Sequence, residues 1–160
     1  MRKKKCANTN KIVVRGFVRV QLVDAKTGKI MGEHYGKNIL TTVGLNGLAG
    51  ASIAATGSKW AKTACLATQT DAVDATHVSM IGVENSIQAV TPTTVATGTA
   101  RMTGSFGGAS NSDTITIGAI GLHSDSNTAS ELLAGHLFTT SQMATNQNLN
   151  FTYEWQFANA

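Results

Sequence analysis

The strongest pattern in the chain is a strict alternation of apolar and polar residues, which is the period of a β-strand with one buried face. It is cleanest over residues 147–157, where the apolar positions are Leu149, Phe151, Tyr153, Trp155 and Phe157. Residues 12–23 predict a second strand, with Ile12, Val14, Val18, Val20 and Leu22 on one side and Arg15, Arg19 and Gln21 on the other. We expect these two strands to lie side by side and the terminal strand to close the core.

Five further segments have strand character between stretches rich in turn-forming residues. They are residues 29–36, 77–84, 94–106, 113–124 and 131–140. The turn "DAKTGK" at 24–29 predicts a hairpin between the first two strands. Within 113–124 the apolar positions change face at Gly118, which predicts a bulge there.

The period changes in the segment "TTVGLNGLA", which predicts a short helix with Thr41 or Thr42 as its N-cap. Gly44 and Gly47 each weaken such a helix by about 1 kcal/mol relative to Ala, so it must pack against the body of the protein. Residues 51–76 are small and polar and predict a long loop or arm. The fold class expected is all-β, an antiparallel β-sandwich or jelly roll of about seven strands with one short helix.

Charge divides the chain into two parts, a basic arm and a neutral body. The protein has 160 residues with thirteen Lys and Arg against nine Asp and Glu, and four of the cations are Arg2, Lys3, Lys4 and Lys5. We therefore expect a flexible basic arm over residues 1–11 and a single domain over 12–160. Confinement of the excess charge to the arm argues against a duplex-binding domain. The four basic residues remain candidates for contact with an acidic surface.

The N-terminus does not predict secretion or membrane insertion. "MRKKK" resembles the start of a signal peptide, but the polar segment "CANTNK" follows it. Cys6 and Cys65 have neither a CxxC spacing nor a dense cysteine framework around them. We expect a protein made in the cytoplasm, without a signal peptide or a transmembrane helix and with reduced thiols.

Motifs that would indicate an enzyme are missing from the sequence. His34, His77, His123 and His136 have no metal-ligand spacing, and no nucleophile elbow of the GxSxG kind occurs. The glycine-rich "GSFGGAS" has no Lys for a phosphate. The sequence predicts no catalytic, cofactor-binding or metal-binding residue and a protein that is not an enzyme. Trp60, isolated in the long loop, is a further candidate interaction residue, and the other Trp and Tyr residues are expected in packing.

Three segments resemble the small virion structural proteins of tailed bacteriophages. They are "GFVRVQLVDAKTGKIMGEHYGKNILTTVGLNGLA", "TITIGAIGLHSDSNTASELLAGHLFTT" and the closing "NQNLNFTYEWQF". The first segment has a hairpin followed by a helix, the second has a Gly-Leu turn with a Leu-Leu-Ala return strand, and the third is an aromatic terminal strand. This plan is similar to that of head decoration and tail accessory proteins. The resemblance implies a β-sandwich present in many copies on a virion, and it brings no catalytic residues.

The resemblance and the composition together favour a capsid decoration or cement protein that stabilises the assembled phage head. Its partners would be other virion proteins, the major capsid or tail proteins, and it would form a homo-oligomer or symmetric array. A tail, collar or fibre component is the alternative within the same class. A carbohydrate-binding or host-surface-binding module, with Trp60 on an exposed platform, and a nucleic-acid-binding protein that uses residues 2–5 are alternatives from other classes.

Overall fold

The computed structural model describes residues 12–53, 61–90, 93–110, 113–124 and 131–159, which form two five-stranded antiparallel sheets packed against each other. The elements in chain order are β1 (Ile12–Asp24), β2 (Ile30–Lys37), β3 (Ile39–Leu40), α1 (Thr42–Ile53), β4 (Thr63–Ala67), β5 (Val83–Ala89), β6 (Thr93–Ala96), β7 (Thr99–Gly107), β8 (Ile115–His123), β9 (Leu132–Met143) and β10 (Gln147–Asn159). The first sheet has the strand order β2-β1-β10-β7-β6 and the second has the order β3-β9-β8-β4-β5. The predicted all-β sandwich with one short helix is confirmed.

The first and last strands pair along their whole length, as the sequence predicts. The antiparallel register runs from Ile12 opposite Asn159 to Asp24 opposite Gln147. On its other side β10 pairs with β7, so the terminal strand is the centre of the first sheet. Phe157 was expected on the buried face, but it lies beyond the core and is 38% exposed.

The core lies between the two sheets and draws on the inward side of each. The first sheet contributes Val18, Val20, Met102, Phe106, Leu149, Phe151, Tyr153 and Trp155. The second contributes Ala64, Leu66, Ile117, Ile120, Leu122, Leu133, Ala134 and Met143. Burying a side chain such as Phe151 contributes about 1.5–3 kcal/mol to the free energy of folding. Four of these core side chains lie on β10, the central strand of the first sheet: Leu149, Phe151, Tyr153 and Trp155. Removal of β10 would therefore remove a large part of the core.

The hairpin between β1 and β2 is closed by the turn that the sequence predicts. The Asp24 carboxylate accepts hydrogen bonds from the Thr27 amide at 2.7 Å, the Thr27 hydroxyl at 2.8 Å and the Lys26 amide at 3.1 Å. These bonds, that from the Thr27 amide above all, lower the pKa of Asp24. Gly28 adopts a φ of 68°, a conformation that glycine tolerates best.

The segment 51–76 is not one long loop, and that prediction is wrong in two places. The helix continues to Ile53, and Thr63–Ala67 forms β4, a strand buried at every position between β5 and β8. Its sequence "TACLA" gives no alternation because both of its faces are covered: Ala64 and Leu66 belong to the main core, while Cys65 and Ala67 belong to a second cluster. Strands buried on both faces lack the period-2 pattern.

That second cluster forms where residues 68–82 cross the outer surface of the second sheet. Val73 and Met80 of this covering segment pack over Cys65, Ala67, Ala119 and Leu132. Gly121 and Gly135 are cross-strand partners beneath them. A Cβ at Gly121 would lie 2.6 Å from Met80 Cγ, and one at Gly135 would lie 3.0 Å from Val73 Cγ1. Because the paired glycines have no side chains, the covering segment can pack directly on the backbone of the second sheet.

Two other strand predictions need correction, and the described residues form ten strands rather than about seven. Residues 77–82 belong to the covering segment, and strand pairing begins only at Val83, after Gly82 turns the chain with a φ of 65°. The predicted strand 94–106 is a hairpin of β6 and β7 with Gly98 at its turn. The pairing of β8 with β9 shifts register between Ile117 and Ala119, at the predicted position of the bulge.

The helix α1 packs against β9 through one of its glycines. Thr41 is the N-cap, because its hydroxyl accepts the Gly44 amide at 3.1 Å. A Cβ at Gly44 would lie 2.1 Å from the carbonyl oxygen of Leu133. The helix can therefore approach the backbone of β9 only with glycine at this position, which explains a residue that is unfavourable in an isolated helix.

Candidate functional site

The two outer surfaces of the sandwich differ in what covers them. The covering segment, residues 68–82, packs over part of the outer surface of the second sheet, where Val73 and Met80 cluster with Cys65, Ala67, Ala119 and Leu132. On the first sheet, the outward side chains of the central rows are exposed or half-buried. We call this surface of the first sheet the open face, and its residues follow from strand register.

Antiparallel register places the outward residues of the open face in rows across the strands. One row joins Lys37, Phe17, Glu154, Arg101 and Thr93. The next joins Tyr35, Arg19, Thr152 and Thr103, and a third joins Glu33, Gln21, Asn150 and Ser105. Arg15 lies opposite Gln156 at one end. The surface is thus polar, with hydroxyl, amide and charged groups set in a regular array.

Two aromatic rings interrupt this polar array. Phe17 and Tyr35 stack with their ring centroids 6.1 Å apart and their planes 6° from parallel. Tyr35 remains 65% exposed although it is a large aromatic residue on a strand. An exposed aromatic surface of this kind adds contact area at low cost in side-chain entropy when it meets a partner.

Two ion pairs flank the aromatic rings. The Arg101 Nε group donates to Glu154 Oε1 at 2.7 Å across β7 and β10. The Arg19 guanidinium pairs with Glu33 across β1 and β2, and Gln21 Nε2 donates to the same Glu33 oxygen at 3.4 Å. Exposed pairs of this kind contribute only about 0–1 kcal/mol to stability. Their main effect is to hold planar hydrogen-bonding groups in fixed positions at the surface.

The open face carries more positive than negative charge. Arg15, Arg19, Lys37 and Arg101 lie on it, whereas its carboxylates are those of Glu33 and Glu154. From residue 6 onward the chain has equal numbers of cations and acids, so the positive charge of the body is unevenly distributed. A face of this sign steers an acidic partner towards it.

The open face is shallow, and its geometry suits binding. A depression of about 280 Å³ lies at its centre, lined by residues that include Phe17, Tyr35, Arg101 and Thr152. Within the described ranges, no three His, Cys, Asp or Glu side chains gather into a metal-binding group. Among the residues that the structure describes, no helix is long and apolar enough to span a membrane.

The interaction residues predicted from the sequence lie outside the described residues: Arg2, Lys3, Lys4, Lys5 and Trp60. The open face was not predicted from the sequence. Part of its pattern is nevertheless present there, since alternation places Arg15, Arg19 and Gln21 on one side of β1. What could not be predicted was the register that brings Tyr35 and Arg101 beside them.

Comparison with known proteins adds no family or relative. No protein-family model, no curated protein and no solved structure matches the chain.

Proposed function

We propose that this protein is a non-enzymatic structural protein of a tailed-bacteriophage virion, a decoration protein that binds the assembled head and stabilises it. The observation that carries the proposal is the unequal covering of the two sheets. Among the described residues, the segment 68–82 packs over part of the outer surface of the second sheet, whereas no described segment packs over the central rows of the first sheet, which carry more cations than carboxylates. A face of this kind fits another broad surface of acidic character better than it fits a small molecule.

The resemblance to virion proteins supports the proposal, because its three segments meet in space. The first contains β2, β3 and most of β1, the second contains β8 and most of β9, and the third contains most of β10. β1 pairs with β10, β8 with β9, and β3 with β9. The similar segments thus build adjoining parts of both sheets instead of scattered patches.

Repetition on a particle would make weak contacts at the open face sufficient. Each exposed ion pair contributes about 0–1 kcal/mol. Copies in a symmetric array add such contacts together, and a linked second contact raises the overall affinity by a large factor. The basic arm of residues 2–5 would add a further contact with an acidic shell. In this proposal the partner is the major capsid protein, and the protein functions in the virion.

A tail, collar or fibre component would use the same face against a different virion protein, and the location on the particle separates the two. The direct test is immunogold electron microscopy of particles purified from the source, with copy number from quantitative mass spectrometry. Label over the head at a copy number comparable with that of the capsid protein is the expected result. Label at the tail in few copies would favour the tail component, and absence from the particle would refute both.

A carbohydrate-binding or host-surface-binding module is the second candidate, and the Phe17 and Tyr35 pair favours it. Sugar rings stack on exposed aromatic faces while planar polar side chains hydrogen-bond their hydroxyls. Tyr35, Arg101 and Glu154 provide both kinds of group around one depression. A glycan array probed with the wild type and with Tyr35→Ala would test it: sugar retention that the variant loses supports this function, and no retention refutes it.

A further inference from the structure

Two histidines that are far apart in the sequence meet at one side of the sandwich. His34 lies on β2, at the edge of the first sheet, and His136 lies on β9 in the second sheet. Their Nε2 atoms are 2.8 Å apart. The ring centroids are 4.9 Å apart with an angle of 38° between the planes. Both side chains are half-buried.

A hydrogen bond made by Nδ1 of His136 determines which nitrogen of that ring carries the hydrogen. Nδ1 of His136 lies 2.8 Å from the backbone carbonyl oxygen of Lys37. A carbonyl can only accept, so Nδ1 carries the hydrogen and the neutral ring has its lone pair on Nε2. That lone pair points at His34. Histidines that bind metals have this arrangement, with the distal ring N–H donated to a carbonyl or a carboxylate.

Gly36 packs directly against the two imidazole rings. A Cβ at Gly36 would lie 2.5 Å from Cε1 and 2.8 Å from Nε2 of His136, and 3.3 Å from Nε2 of His34. Any other residue at position 36 would clash with the His136 ring, so glycine allows the two rings to meet beside β2. A depression of about 250 Å³ adjoins His34 and is lined on one side by the residues Thr139 and Ser141, so water can reach this side of the pair.

We propose that His34 and His136 form a two-histidine binding site for a divalent transition metal ion, Cu(II) or Ni(II) ahead of Zn(II), with water at the remaining positions. For nitrogen ligands the affinity of divalent ions rises through Ni(II) to Cu(II) and falls again at Zn(II), which gives the order of preference.

Metal binding needs one proton shift within the pair and no net loss of protons. In the metal-free protein the Nε2–H group of His34 donates to Nε2 of His136. When the ion binds, the hydrogen bond between the rings breaks, His34 takes the tautomer with its hydrogen on Nδ1, and the rings turn so that both Nε2 lone pairs face the metal. The bound ion links the edge strand of one sheet to the other sheet, and binding to the native state alone raises the free energy of unfolding.

The test uses tag-free full-length protein in a Cys6→Ser background, treated with a chelator and dialysed. Titration calorimetry with CuCl₂, NiCl₂ and ZnCl₂ measures affinity and stoichiometry, and the Cu(II) electron paramagnetic resonance spectrum reports the coordinating nitrogens. We expect one Cu(II) per chain with two imidazole nitrogens, binding in the order Cu(II), Ni(II), Zn(II), and a melting temperature that rises with Cu(II) concentration.

The variants separate this site from other copper ligands. His34→Gln and His136→Gln should each weaken Cu(II) binding at least about tenfold, which corresponds to the loss of one good ligand. Gly36→Ala keeps both imidazoles but displaces the His136 ring and should also weaken binding. His77→Gln, in the covering segment, should leave binding unchanged. Circular dichroism checks that each variant is folded. Equal affinity in the wild type and both histidine variants, or a spectrum without two imidazole nitrogens, would overturn the proposal.

Discussion

The hydroxyl of Tyr153 crosses the core and donates a hydrogen bond of 2.8 Å to the backbone carbonyl of Ile120. Tyr153 lies on β10 in the first sheet and Ile120 on β8 in the second, so this bond joins the two layers. Tyr153 is fully buried, and burial raises its pKa, which keeps the hydroxyl protonated as a donor. One side chain thus fills the centre of the apolar core and fixes the sheets relative to each other.

Tyr153→Phe should lower the free energy of unfolding by about 1–3 kcal/mol, because it removes the hydroxyl and leaves its buried acceptor without this donor. Urea denaturation measures the change, and the slope of the transition should stay the same because the surface exposed on unfolding does not change. Tyr35→Phe is the matched control, since Tyr35 is exposed on the open face. Equal midpoints for the two variants would show that the bond between the sheets does not stabilise the fold.

Gly44→Ala should destabilise the protein although alanine is the better helix former. The propensity gain is about 1 kcal/mol, but the new Cβ would lie 2.1 Å from the Leu133 carbonyl oxygen, and forcing helix and strand apart costs about 1–3 kcal/mol or more. Asn46→Ala, at an exposed position of α1, keeps the propensity gain without the clash. Thermal unfolding should show a lower midpoint for the first and an unchanged or higher one for the second. A stabilising Gly44→Ala would refute the close approach.

Gly121→Ala should loosen the covering segment over the second sheet. Its Cβ would lie 2.6 Å from Met80 Cγ and 3.2 Å from the Met80 sulfur, and overpacking of this kind costs about 1–3 kcal/mol. Relative to the wild type, the variant should show faster hydrogen exchange in residues 68–82 and unchanged exchange in β1 and β10. Gly32→Ala is the control, because its Cβ would come no closer than 4.0 Å to Leu22 Cβ. Unchanged exchange in residues 68–82 of the Gly121 variant would contradict the packing described.

The thiol of Cys65 should resist alkylation in the native protein. Burial raises its pKa to about 12, so at pH 8 only about one thiol in ten thousand is the reactive thiolate. In a Cys6→Ser background Cys65 is the one remaining cysteine. Mass spectrometry after iodoacetamide treatment should find it unmodified in native buffer and fully modified in concentrated urea. Rapid modification in native buffer would mean that the β4 region opens readily.

The sequence predicts those strands that have one covered face, and it fails where both faces are covered. Alternation gives β1 and β10 their bounds within two residues at either end, because Val18 and Tyr153 face the core while Arg19 and Glu154 face outward. In β4 the same rule cannot apply, since Cys65 and Leu66 are both buried, on opposite faces of the strand. The sequence wrongly predicts a strand at residues 77–82 of the covering segment, because Val78 and Met80 match the period of a strand.

Neither the open face nor the histidine pair could be predicted from spacing along the chain. Arg101 and Glu154 are 53 positions apart, and His34 and His136 are 102 apart. Their contacts depend on the register of β7 with β10 and on the packing of β2 against β9, which long-range pairing sets.

The most direct measurement is cosedimentation of the purified protein with assembled heads from a phage that lacks its coding sequence. Thr103→Glu adds a negative charge to the open face, and Thr116→Glu makes the same change at an exposed position of β8 in the second sheet. We expect saturable binding of the wild type and of Thr116→Glu, and binding at least about tenfold weaker for Thr103→Glu, because its charge would repel an acidic shell. No binding by the wild type would contradict the proposed decoration function, and equal binding by the two variants would contradict the proposed role of the open face.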